Sequence, residues 1–347
     1  MQSAMHTTGY AAYSPTAPLA LFQFERRSLR ANDVAMEILY SDVCHPDLHT
    51  APNDWGWSYY PIVPGHEIVG RVAALGAGVS RYRVGDHVAV GCMVDSCPAC
   101  DQCRKGEEQL CRAGNTSTYA GQDRITGENT QGGCSKHLVV REEFCLRIPE
   151  GLDLALAAPL LCAGITTWSS LGTWNVGPGG RVGVIGLGHM AVGLGVTVLS
   201  RSNDKQVDAL ALGAARLLVS SDPQAMEKAT SDFDLIIDMV SVKHDLTPYL
   251  PLLDVDGTLA IVGQVGPTIQ ERNTAPLLLG RRRIADSLIG GIHETQEMLG
   301  FCAEKNILPD CEMIRIDQIN EAFERMERAD VRYRFVIDKA SLPAQVA

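Results

Sequence analysis

Cys97-Pro-Ala-Cys100-Asp-Gln-Cys103, with Cys111 eight positions further on, gathers four thiols in one loop. Four thiolates close a tetrahedral zinc shell and leave no position for water, so such a site braces a loop and does no chemistry. Four unrelated buried cysteines would sit in apolar sequence, whereas these are interleaved with Pro98, Asp101, Arg104, Lys105, Glu107 and Glu108. Iron-sulfur loops use related spacing but usually carry proline after the last cysteine, where this chain has Arg112.

A metal that does chemistry needs an open position, and therefore three protein ligands instead of four. Three polar or glycine-rich segments offer Cys or His for it: Cys44-His45-Pro46-Asp47-Leu48-His49, Gly65-His66-Glu67 and Leu161-Cys162-Ala163-Gly164. They are far apart, so only the fold can unite them. Taken singly, Cys162 in its apolar run reads as core and His49 as a surface histidine.

A third constellation is the run Val182 to Ile185 leading into Gly186-Leu187-Gly188-His189-Met190-Ala191. A strand that enters Gly-x-Gly-x-x-Ala lets backbone approach a pyrophosphate at a helix N-terminus, which makes Gly186, Leu187 and Gly188 candidate dinucleotide contacts. At the end of the next strand, where an acidic residue would bind the adenine ribose of NAD, the chain has Ser200-Arg201, with Lys205 close by. A hydroxyl and cations there suit the 2′-phosphate of NADP(H); a solvated arginine in a turn is the plainer alternative. Only residues 186 to 195 separate the two strands, fewer than the dozen or so that a parallel crossover takes. The spacing predicts a helix of about two turns near Gly188 to Leu194 and a partly uncovered sheet face.

Two kinds of scaffold must position these groups. From about Leu19 to Val140, short β-rich runs alternate with turn signals, at Val34 to Tyr40, Ile68 to Ala74, Asp86 to Gly91 and Ser135 to Val140, as in an antiparallel, barrel-like β domain. After Pro149-Glu150-Gly151, helical apolar spacing leads into a β-α series with runs at Val182 to Ile185, Val196 to Leu199, Leu217 to Val219, Leu235 to Met239 and Thr258 to Val262. Past Gly290-Gly291, helical patterns at Glu294 to Glu304 and Ile316 to Ala329 precede the β-rich ending Tyr333 to Ile337, assigned back to the first domain. The expected organisation is residues 1–150 with 291–347 as one domain and 151–290 as a Rossmann insertion. A net charge of −11 opposes the phosphate backbone and anionic membranes, so neither nucleic acid nor membrane is expected as a partner. No signal-peptide pattern opens the chain, and eleven cysteines in a chain long enough to build a core point to reduced thiols; both fit a cytoplasmic protein.

Cys44-His45, Pro64-Gly65-His66-Glu67, the Cys97 to Cys111 lobe, Pro159-Leu-Leu-Cys162-Ala-Gly-Ile-Thr166-Thr and Asp330-Val-Arg-Tyr-Arg334-Phe-Val, in that order, resemble the zinc-dependent medium-chain alcohol dehydrogenases. Val94-Asp95-Ser96-Cys97, Ile289-Gly290-Gly291 and Glu294 to Met298 make the cinnamyl alcohol dehydrogenase-like aldehyde reductases the most similar branch. The resemblance implies a GroES-like antiparallel β-barrel catalytic domain with an inserted doubly wound parallel sheet, two Zn2+ per chain, NADP(H), an aldehyde or alcohol substrate and a homodimer. It implies Cys44, His66 and Cys162 as catalytic zinc ligands, with Glu67 able to approach the metal. Asp47 would fix the tautomer of His66, and His49 would pass the alcohol proton to solvent. Thr166, Ser287, Leu288, Ile289 and Arg334 would also line the cofactor site.

The chain departs from that pattern. Pro46 replaces a Ser or Thr whose hydroxyl relays the alcohol proton, Met239 a Thr, Asp286 a Gly and Cys134 a Tyr, and the glycine turn and its helix are shortened. Zinc held by two thiolates and an imidazole remains a Lewis acid for alcohol–aldehyde interconversion, with hydride carried by the nicotinamide. The expected activity is that of a broad-range aldehyde reductase; the alternative is a zinc-binding relative with catalysis impaired by Pro46 and the short crossover. Trp55, Trp57 and Met93 offer an apolar wall for alkyl or aromatic aldehydes, or plain core packing.

Overall fold

The computed structural model describes residues 5–186, 196–263, 266, 274–328, 330–331 and 334–343. Contacts divide the chain into Met1–Ile165 with Gly290–Ala347, and Thr166–Ile289.

In the first unit, β1 (Met5–Ala11) and β2 (Ala20–Arg26) form an antiparallel hairpin. The main sheet is built on β3 (Asp33–Val43), whose Val34, Ala35, Met36, Ile38 and Val43 are all buried. Burial on both faces explains why this strand reads as a nearly continuous apolar run. β3 pairs antiparallel with β4 (Ile68–Leu75) and with β8 (His137–Arg141). β4 continues to β5 (His87–Val90) and then β9 (Leu146–Arg147), while β6 (Met93–Asp95) pairs with β7 (Thr116–Ser117) beside the cysteine loop. On the far side of β3, the C-terminal β17 (Phe335–Asp338) lies antiparallel in the register Phe335↔Val43. β16 (Glu312–Arg315) runs parallel to β17, a mixed edge in an otherwise antiparallel sheet.

The second unit, with β10 (Val182–Ile185), β11 (Thr197–Ser200), β12 (Arg216–Val219), β13 (Phe233–Asp238), β14 (Leu253–Ile261) and β15 (Arg283–Asp286), is a parallel sheet in the order β12-β11-β10-β13-β14-β15. Strand order reverses between β10 and β13, the position where doubly wound sheets open a crevice at their strand C-termini.

Local chemistry explains where the elements depart from the sequence pattern. β1 lies before the first expected strand because Met5–Ala11, with His6, two threonines and Gly9, carries no apolar alternation. β15 was equally silent, being short and charged at both ends. The helical stretch after Gly151 is an α-turn at Leu154–Ala157, capped by Asp153, which tightens to a 3₁₀ turn at Ala158–Leu161 around Pro159. The helix expected from Ile316 starts as a 3₁₀ turn and is α-helical over Ile319–Glu327. The helix expected near Gly188 to Leu194 lies outside the described residues. Among the described residues, no single helix is long and apolar enough to cross a membrane.

Candidate functional site

Among the described residues, two groups of side chains in the first unit could hold a metal ion: Cys97, Cys100, Cys103 and Cys111, and Cys44, His66 and Cys162. In each, the ligand atoms lie within 4.8 Å of one another.

In the four-cysteine lobe, Cys103 Sγ lies 3.5 Å from Cys100 Sγ and 3.9 Å from Cys97 Sγ. Sulfurs about 2.3 Å from a tetrahedral zinc would sit about 3.8 Å apart, so the shell has the right size. Backbone N–H groups of Cys103 and Arg112 point at Cys100 Sγ (3.5 and 3.4 Å) and pull its thiol down to about 6, favouring the thiolate a metal needs. Arg112 also clamps Asp101 through two hydrogen bonds of 3.0 and 2.9 Å.

The second group is assembled through Asp47. Cys44 follows β3 and caps the helix His45–Thr50; its N–H donates to Asp47 Oδ2 at 3.0 Å. Asp47 Oδ1 accepts from Gly65 N–H at 3.0 Å and lies 3.2 Å from His66 Nδ1, so one buried carboxylate ties both ligand segments together. Burial alone would raise this carboxyl, but His66, Tyr119 and the N–H of Cys44 hold it below its usual value. With Nδ1–H given to Asp47, His66 presents the lone pair of Nε2, which is buried and has no hydrogen-bond partner. An orphaned buried imidazole nitrogen facing two thiols is the donor set a three-ligand zinc site requires. Gly65 makes the turn possible: its φ is +104°, and a Cβ there would lie 2.9 Å from the backbone N of Cys134.

Glu67 is buried, but its ligand atoms are outside the converging group. Its carboxylate accepts from the Arg334 guanidinium and, at 3.4 Å, from Ala163 N–H. Arg334 is also paired to buried Asp42, so its charge is spent on two carboxylates inside the first unit. His49 is half-buried, with Nδ1 2.9 Å from Asp54 Oδ2 and its ring 5.4 Å from that of Trp55, which in turn lies 5.2 Å from Trp57. Met93 is buried; Trp57 is exposed. Thr166 is buried at the start of the helix Ala163–Thr173, its carbonyl accepting from Ser170 Oγ at 2.7 Å.

In the second unit, Gly186 follows β10 with φ +97°, a conformation suited to glycine. Leu187 and Gly188 lie outside the described residues. Ser200 ends β11, and Arg201 and Lys205 are exposed just beyond it. Ser287, Leu288 and Ile289 follow β15, Leu288 being exposed. Asp54, Tyr119 and Asp42 belong to these networks without having stood out in the sequence. Only Asp54, beside Trp55 and Trp57 and close in sequence to His49, left a local trace.

Residues 30–150 match the alcohol dehydrogenase GroES-like domain family, and residues 185–304 the zinc-binding dehydrogenase family. The chain is 50% identical over 345 residues to NADP-dependent alcohol dehydrogenase C 1 of Mycolicibacterium smegmatis, covering 96% of this chain and 98% of that protein. It is 47% identical over 341 residues to an aldehyde reductase of Escherichia coli, covering 95% and 97%. Among solved structures it is similar to a cinnamyl alcohol dehydrogenase of Sorghum bicolor (TM-score 0.94, 40% identity, 99% and 100% covered). It is also similar to the CAD of Helicobacter pylori complexed with NADP(H) (TM-score 0.89, 34% identity, 97% and 99% covered).

Proposed function

The chain belongs to the zinc-dependent medium-chain alcohol dehydrogenase family, and from that premise we propose that it is an NADP(H)-dependent oxidoreductase interconverting primary alcohols and aldehydes, working as a broad-range aldehyde reductase. The observation that carries this reading is the unpartnered, buried Nε2 of His66 facing Cys44 and Cys162.

Zinc held by Cys44, His66 and Cys162 would supply Lewis acidity towards the substrate oxygen. The chain's own residues do the rest. Asp47 fixes the His66 tautomer and holds Cys44 and His66 in register. Glu67, pinned by Arg334, leaves the fourth position open. His49, with Nδ1 engaged by Asp54, presents Nε2 as the group that exchanges the substrate proton with solvent. Trp55, Trp57 and Met93 supply apolar surface for an alkyl or aryl group. At the strand C-termini of the second unit, Gly186, Leu187 and Gly188 would face the pyrophosphate, with Ser200, Arg201 and Lys205 on the 2′-phosphate. Ser287, Leu288, Ile289 and Thr166 complete the proposed dinucleotide contacts. Arg334 joins them less readily, its guanidinium being committed to Asp42 and Glu67. Cys97, Cys100, Cys103 and Cys111 hold a second, structural zinc.

Eleven unpaired cysteines fit a reducing, cytoplasmic setting. A homodimer fits the exposed Leu278 and Leu279 on the helix Ala275–Gly280 and the position of β15 at the edge of the described sheet. The test is zinc-replete protein with NADPH, then NADH, and a panel of aliphatic and aromatic aldehydes, followed by cofactor absorbance. Oxidation of NADPH in preference to NADH is expected. Preference for NADH would refute the roles given to Ser200, Arg201 and Lys205.

A further inference from the structure

The helix Ile292–Lys305 has Gly291 at its N-cap position, and glycine offers no side-chain acceptor to the N–H groups of the first turn. An acceptor comes instead from 184 positions away: Glu108 Oε2, in the four-cysteine lobe, takes the Ile292 N–H at 3.0 Å. A carboxylate in that place also meets the positive end of the helix dipole. The two backbones are in contact as well. A Cβ on Gly291 would lie 1.6 Å from the carbonyl oxygen of Gly106 and 3.0 Å from Glu108 Oε2, so only glycine fits without moving backbone. The cysteines fix the segment that presents Glu108: Gly106 N–H donates to the Cys103 carbonyl at 3.2 Å, and Cys111 N–H to the Glu108 carbonyl at 3.1 Å. Gly290 is held too, since a Cβ there would lie 2.7 Å from Ile165 Cδ1.

Immediately before these glycines, Ile289 has φ +34°. Left-handed backbone is costly for a β-branched residue, which keeps it only where the surroundings over-determine it. Ile289 closes the Ser287–Ile289 run and stands three positions before the N–H that Glu108 accepts. The run is therefore fastened at its exit by backbone packing at Gly290 and Gly291 and by one charged side chain. We propose that Glu108 is a positioning residue for dinucleotide binding: from the four-cysteine lobe it holds the start of the helix Ile292–Lys305, and through it keeps the strained Ser287–Ile289 run in the shape that meets the cofactor. The inference rests on the assignment of Ser287, Leu288 and Ile289 as NADP(H) contacts.

The test compares Glu108→Ala, Glu108→Asp and Glu108→Gln with wild type in the zinc-loaded full chain. Glutamine keeps an acceptor within reach of Ile292 N–H, aspartate draws it back by one methylene, and alanine removes it. NADPH binding followed by cofactor fluorescence should be about tenfold weaker in Glu108→Ala, the usual worth of a hydrogen bond to a charged group, and within about threefold of wild type in Glu108→Gln. Glu108→Asp should fall between them. In steady state the alanine variant should raise KM for NADPH by a similar factor and leave kcat within about twofold. Hydrogen–deuterium exchange over residues 287–292 separates this role from the cofactor assignment beneath it. In wild type NADPH should protect these amides, and in cofactor-free Glu108→Ala they should exchange faster than in cofactor-free wild type. A folded Glu108→Ala or Glu108→Asp protein that keeps two zinc ions per chain and binds NADPH as tightly as wild type would overturn the positioning role, as would equal weakening in Glu108→Gln. Absence of NADPH protection in wild type would remove Ser287–Ile289 from the cofactor site, and this inference with it.

Discussion

Lys339 is 4% exposed and its Nζ has no hydrogen-bond partner, an unusual position for an ammonium group. Burial pulls the amine from 10.5 to about 8, partly opposed by Cys134, Asp47 and Asp338. That displacement is worth about 3 kcal/mol. Because the folded-state value is depressed, the penalty is fully present below pH 8, where the buried group is charged. It fades as the pH rises from about 8 to 10.5 and is gone once the unfolded chain is neutral too. Lys339→Met keeps the stem and volume and removes the charge. The variant should therefore be more stable than wild type by about 3 kcal/mol at pH 7, and by under about 1 kcal/mol at pH 10. Urea unfolding of zinc-saturated protein at the two pH values reads this directly, with zinc held constant because bound metal adds its own stability. Equal stabilisation at both pH values would refute the electrostatic reasoning, and a destabilised variant would show that Nζ has a partner in solution.

Pro46 occupies the first turn of the helix His45–Thr50, where a missing N–H costs little, so Pro46→Ser should fold normally. By restoring a hydroxyl for proton relay it should raise the rate of alcohol oxidation by about tenfold or more in initial-rate assays; no gain would remove Pro46 as a limit on turnover. Asp54→Asn should move the proton of His49 between its ring nitrogens, read by nitrogen-15 histidine spectra. Unchanged spectra would show that Asp54 does not hold His49. Gly65→Ala should cost about 2 kcal/mol or more and weaken zinc retention against a chelator, because φ is +104° and Cys134 backbone blocks the methyl. A stable, zinc-retaining variant would contradict the role given to that turn.

The sequence exposed those parts of the molecule whose physics is local. Four cysteines in one loop give a zinc shell by spacing alone, and the strand-turn pattern around Gly186 locates the end of β10. Cys44, His66 and Cys162 carry no such signature, since the fold alone makes them neighbours; motif resemblance named them, and the geometry brings their ligand atoms together. Pairings over long separations stayed hidden. Arg334 and Asp42 are 292 positions apart, and nothing in either neighbourhood announces a half-buried guanidinium shared by two buried acids. Weak local patterns failed for a related reason: β1 and β15 are fixed by neighbouring strands, with little apolar alternation of their own.

The proposed reaction is hydride transfer between NADP(H) and a carbonyl carbon, with Cys44, His66 and Cys162 as the catalytic zinc ligands. Zinc-replete protein incubated with NADPH deuterated at nicotinamide C4, on each face in turn, and an aromatic aldehyde tests it most directly, with the product alcohol analysed by mass spectrometry. One deuterium is expected in the alcohol from one of the two cofactor forms, with loss of product formation in Cys162→Ser. Protein that carries two zinc ions per chain and binds NADPH, yet yields no deuterated alcohol from any aldehyde tried, would contradict it.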